Sequence, residues 1–144
     1  MKTSHLHDVW AAPDNGRLVS KQFSFRFPVH IAAKIAALAE VYPQKNRTQI
    51  VADLLTTALD DLEKNLPSKY YEADPEVQRM QDDYSYNNGS KKETVYELGG
   101  IRGKYRNLCN IHYKALEKEL GNDEAPNLFE HVYGPKEYLE NFKE

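Results

Sequence analysis

Residues 21–28 read Lys21-Gln22-Phe23-Ser24-Phe25-Arg26-Phe27-Pro28, three phenylalanines alternating with Gln22, Ser24 and Arg26. A period of two sends successive side chains to opposite faces of an extended chain. The stretch therefore predicts a strand over 21–27 with one apolar and one polar face. Alternation alone leaves the wet face open, because Gln, Ser and Arg serve equally as solubilising filler or as groups that bond a partner. The surrounding charge is more informative. Between Asp14 and Glu40 there is no acidic residue, only Arg17, Lys21, Arg26 and Lys34. A local positive field favours an anionic partner, even though the whole chain carries a net charge of −3.

Working outward, Pro28 ends the strand and suits the first turn of a helix, where its missing N–H costs nothing. VHIAAKIAALAEVY (29–42) follows, with Ile31, Ile35, Leu38 and Tyr42 at helical spacing. Its alanines suit close helix packing. Pro43-Gln44-Lys45 breaks this helix, and Asn46 heads a second, NRTQIVADLLTTALDDLEK (46–64). Gln49, three positions after Asn46, makes a variant of the capping box. Ile50, Leu54, Ala58 and Leu62 form the apolar stripe, widened by Val51, Leu55 and Leu59. Residues 21–66 thus read strand–helix–helix, closed by Pro67-Ser68. A unit of this size cannot bury an adequate core, and a lone strand has no hydrogen-bonding partner. Two chains that pair strands antiparallel and pack their helices about a two-fold axis remove both deficits.

This order of elements resembles the ribbon-helix-helix (MetJ/Arc) superfamily of prokaryotic and phage DNA-binding proteins. The resemblance rests on Gln22-Phe-Ser-Phe-Arg-Phe-Pro28, an Arc-like ribbon, and on the spacing from Pro28 to Asn46-Arg47-Thr48-Gln49-Ile50. It covers about a third of the chain. It departs at Pro43-Gln44-Lys45, where the family often has glycine. The resemblance implies a mainly α protein whose N-terminal ribbon-helix-helix forms an intertwined dimer, one strand and two helices per chain. A two-stranded ribbon docks in the major groove, which is about 12 Å wide. Gln22, Ser24 and Arg26 would then contact bases, with Gln suited to adenine and Arg to guanine. Asn46, Arg47 and Thr48, assisted by Lys21 and Lys45, would hold phosphate at the start of the second helix. Phe23, Phe25, Phe27, Ile35, Leu38, Ile50, Leu54 and Leu55 would make the dimer core.

Residues 1–20 read as a flexible arm, with a turn cluster at Pro13-Asp14-Asn15-Gly16. Residues 67–144 read as a small, mostly helical C-terminal domain for an effector, oligomerisation or a protein partner. Helices are expected from Asp74-Pro75 to about Tyr84, from just after Gly103 to about Leu120, and over 125–132 and 136–142. SYNNGSKK (85–92) reads as loop, and ETVYEL (93–98) as a short strand or helix. This half has eleven Lys/Arg against fifteen Asp/Glu and most of the tyrosines, a surface suited to protein contact. The segment Gly99-Gly-Ile-Arg-Gly-Lys-Tyr-Arg106 combines a Gly-rich turn with three bases, which fits either a phosphate cradle or an ordinary flexible turn.

The single Cys109 excludes an internal disulfide framework and a multi-cysteine zinc site. His5-Leu-His7-Asp8 and Cys109-Asn-Ile-His112 are metal-capable pairs without further ligands at firm spacing, so no metal or cofactor is expected. No phosphate-loop, nucleophile-elbow or zinc-hydrolase motif occurs, and no enzyme is expected. No apolar run approaches the roughly 18 residues of a membrane span. A cytoplasmic, prokaryotic location on the nucleoid is expected, without membrane association. The leading expectation is a sequence-specific transcriptional regulator, acting as a repressor. Its partners would be an inverted-repeat operator in double-stranded DNA and a second copy of the chain, with higher oligomers on DNA. The alternative is an antitoxin that binds its own promoter and neutralises a toxin through residues 68–144.

Overall fold

The computed structural model describes residues 6–7 and 18–142. It is mainly helical with a three-stranded antiparallel sheet. The chain divides into two compact units, Met1–Asn65 and Leu66–Glu144. Among the described residues no helix is long and apolar enough to cross a membrane.

In the first unit, residues 22–28 carry no strand ladder, and every residue from Leu18 to His30 is exposed. The strand expected over 21–27 is therefore absent from the single chain, because no described segment of this unit lies alongside to complete a ladder. Helix α1 spans Val29–Val41. Pro28 stands just before it, with φ −54° and ψ 149°, as the N-cap and not in the first turn. Its carbonyl accepts from the amides of Ile31 and Ala32 at 3.1 and 3.0 Å. The amide of Tyr42 closes the helix on Leu38 O at 2.9 Å, and the Pro43-Gln44 turn follows. Helix α2 spans Arg47–Asn65. Asn46 N–H donates to Gln49 Oε1 at 3.0 Å, and Gln49 N–H donates to Asn46 Oδ1 at 2.8 Å. The reciprocal capping box read from Asn46 and Gln49 is thus complete.

Ile50 is fully buried, and Leu38, Ala39, Tyr42 and Leu54 pack around it. Leu6 completes this cluster from the N-terminal side, on helical backbone shared with His7. The arm expected to be flexible thus holds a packed turn at these two residues. The rest of residues 1–17 lie outside the described residues. Leu55, Leu59 and Leu62 face solvent on α2, as do Val29 and Val41 on α1. Ile35 is half-buried.

The second unit holds strand β1 (Lys69–Glu72), helix α3 (Pro75–Asn88), strand β2 (Tyr96–Gly99), helix α4 (Gly100–Glu119), strand β3 (Tyr133–Gly134) and helix α5 (Lys136–Glu140). The sheet order is β1-β2-β3, with Lys69 opposite Gly99 and Tyr96 opposite Gly134. α3 begins after Asp74 with Pro75 in its first turn, as read. It runs past Tyr84 because Ser85 is buried and satisfied by Gln81 Nε2 at 3.2 Å. Gly89, at φ 65°, supplies the left-handed residue that ends it. ETVYEL resolves to strand: Val95 N–H donates to Gln78 Oε1 at 2.7 Å, and β2 follows.

No helix forms over 125–132, contrary to expectation. The backbone there is committed elsewhere. Phe129 N–H donates to Asn110 Oδ1 at 2.7 Å, Phe129 O accepts from Asn110 Nδ2 at 2.8 Å, and Val132 O accepts from Leu98 N–H at 3.1 Å. The expected C-terminal helix is the shorter α5, in which Leu139 is buried.

Candidate nucleic-acid interface

Each residue expected to meet DNA lies in the first unit. Gln22, Ser24 and Arg26 are exposed and make no hydrogen bond or ion pair among the described residues. Phe23, Phe25 and Phe27 are 60%, 71% and 45% exposed. Three phenylalanines this exposed within five residues leave apolar surface in water, which a partner could cover. Lys21 is exposed and holds a contact of its own.

At the start of α2 the geometry suits an anion. Of the first amides, Gln49 N–H is taken by Asn46 Oδ1 and Ile50 N–H by Asn46 O at 3.1 Å. The Arg47 and Thr48 amides have no acceptor among the described residues, and both side chains are exposed. No acidic residue occupies the first turn. The two free amides, the positive end of the helix dipole and the Arg47 guanidinium therefore converge without local opposition. Asn46 itself is committed through Oδ1 to the cap, which leaves its Nδ2 hydrogens for a ligand.

Lys45 differs from expectation. It is only 3% exposed, and its Nζ has no hydrogen-bond partner. In this conformation it reaches no phosphate. A hydrophilic residue in a Pro-Gln-Lys turn gives no sequence signal of burial.

Arg102 and Arg106, the outer bases of the Gly-rich segment, are not an anion cradle. Both are buried. Arg102 Nη1 donates to Phe142 O at 3.1 Å, and Arg106 Nη2 donates to Glu130 O at 3.1 Å. The Arg106 guanidinium lies 4.6 Å from the Phe129 ring centre. With Asn110 they form a polar stripe at i, i+4 and i+8 that clasps the C-terminal segment. Neither is the glycine turn a loose one. A Cβ on Gly100 (φ 71°) would lie 2.7 Å from Lys69 N, and one on Gly103 would lie 2.7 Å from Leu98 O. These glycines let α4 start against β1 and β2.

Among the metal-capable pairs, His7 Nδ1 shares a hydrogen bond with the Tyr42 hydroxyl at 2.6 Å, while His5 and Asp8 lie outside the described residues. Cys109 is a half-buried free thiol. The described residues contain no group of three or more His, Cys, Asp or Glu able to hold a metal. Compared with protein-family models, curated proteins and solved structures, the chain matches none.

Proposed function

We propose that the chain is a homodimeric, sequence-specific DNA-binding regulator of transcription, acting as a repressor by occupying its operator. One observation carries the reading. An alternating segment with Gln22, Ser24 and Arg26 unengaged among the described residues and Phe23, Phe25 and Phe27 exposed sits directly before a two-helix unit whose second helix starts in an open, acid-free anion cradle. Antiparallel pairing of residues 21–27 from two chains would satisfy the strand's backbone groups and cover its phenylalanines. It would leave two copies of Gln22, Ser24 and Arg26 on one polar face. Bases would be read there, and Arg47, Thr48 and the α2 amides would set the register on the phosphates. The exposed Leu55, Leu59 and Leu62 supply further apolar surface for the second chain.

Under the antitoxin reading, residues 68–144 would wrap a toxin. The three-stranded sheet and the Arg102–Arg106–Asn110 clasp make these residues a folded unit, which favours a regulator with an appended domain. Selection of duplexes from a randomised pool by the purified chain tests the proposal. Enrichment of an inverted repeat supports it. Failure to enrich any sequence at moderate salt removes it.

A further inference from the structure

Lys45 poses a physical problem, since a strongly hydrated ammonium is held in the interior with no acceptor. Such burial is costly unless something offsets it. Three contacts are made by Leu6, His7 and Lys45 with residues of the α1–α2 junction. Leu6 is buried against Ile50, in the cluster that includes Leu38, Tyr42 and Leu54. His7 Nδ1 lies 2.6 Å from the Tyr42 hydroxyl, with the two rings edge to face at 5.4 Å. Lys45 N–H donates to Tyr42 O at 3.0 Å, which ties the lysine backbone to the residue that His7 engages. The N-terminal turn therefore packs on Ile50 and Tyr42, which flank Lys45 along the chain on either side of the α1–α2 turn.

The geometry points to the turn at Leu6 and His7 as a latch that withholds Lys45 from the anion cradle at the start of α2. This rests on the DNA-binding reading and adds its regulation. Lys45 directly precedes Asn46, and its four-carbon stem is long enough to swing outward while the backbone stays in place. A phosphate at the Arg47 and Thr48 amides would offer the acceptor that the interior lacks. Closed, the latch leaves the cradle short of one cation. Open, it adds one phosphate contact per chain without altering Gln22, Ser24 or Arg26. Opening thus raises affinity for all DNA and leaves base preference as it was.

The latch is tested on the whole chain with a small amine-acylating reagent, reading each lysine by peptide mass spectrometry. In the unaltered protein Lys45 should react far more slowly than the exposed Lys34 and Lys64. Leu6→Ala should raise its rate by about tenfold or more, since local opening sets the reactivity of a covered group. Tyr42→Phe keeps the ring and removes only the hydroxyl, so it should raise the rate too, and it serves if Leu6→Ala fails to fold. A Lys45 that reacts as fast as Lys34 without any substitution, or a rate that neither variant changes, would overturn the latch. Binding to mixed-sequence duplex then reads the gating. The salt dependence should steepen by about one unit per chain in Leu6→Ala. That gain should disappear in Leu6→Ala/Lys45→Met, and equal slopes in all three proteins would overturn the gating. Acylation as expected with no DNA binding by any variant would instead sink the DNA reading, and the gating role with it.

Discussion

Arg26 and Arg47 carry the same charge and are both exposed, yet the proposed DNA-binding reading gives them different work. Arg26 lies among alternating side chains that one face of a ribbon would present to base edges. Its fork geometry suits the two acceptors of guanine, so Arg26→Ala should cost about 1–3 kcal/mol of specific affinity per site. Weak binding to unrelated duplex should hardly change, and titrating both duplexes by fluorescence anisotropy separates the two. An equal loss on both would make Arg26 a phosphate contact. Arg47 stands at the mouth of α2, beside two unbonded amides. Arg47→Ala should weaken binding to every sequence and lower the salt slope by about one per site. An unchanged slope would remove it from the interface.

At the level of elements, the legible features were those set by neighbours in sequence. The α2 cap shows this best: Asn46 and Gln49 are three apart, and both reciprocal bonds form. Asn46→Ala should lower stability by about 1 kcal/mol, seen as a reduced melting temperature of the first unit. The start of α3 at Asp74-Pro75 was equally readable. What escaped reading depends on long-range contact. β1 is a four-residue strand whose place is set by pairing with β2 at Lys69–Gly99, and nothing local in KYYE announces it. The segment 125–132 reads as a short helix, but Asn110 takes both backbone groups of Phe129. Of the candidate site, the chemical identity of Gln22, Ser24 and Arg26 was legible. The burial of Lys45 was not, because nothing local in the Pro43-Gln44-Lys45 turn signals it.

The glycines make the same distinction testable. Gly89 and Gly100 have nearly equal φ, 65° and 71°, but a Cβ at Gly89 meets nothing within 4 Å, whereas at Gly100 it meets Lys69 N at 2.7 Å. Gly89→Ala should cost about 1 kcal/mol through backbone strain alone. Gly100→Ala should add displacement of α4 from β1 and cost about 2–4 kcal/mol. Denaturant titration of the two variants would show the difference. Equal losses would mean that close packing at Gly100 contributes nothing.

For the molecule as a whole, the chief prediction is oligomeric. A chain of 16.6 kDa should sediment as a dimer at micromolar concentration, and Phe25→Ser should shift it toward monomer. A well-folded monomer in the unaltered protein would remove the ribbon altogether. The second unit has a different dependence, one of timing. Its clasp joins Arg102, Arg106 and Asn110 to Phe129, Glu130 and Phe142, so these bonds cannot form until those last residues exist. During synthesis they emerge on the order of several seconds after Asn65. The first unit thus has all its residues free of the ribosome while the second still waits for its closing segment. A nascent chain halted before Phe129 would carry every residue of the first unit joined to an α4 whose arginines lack the carbonyls of Glu130 and Phe142.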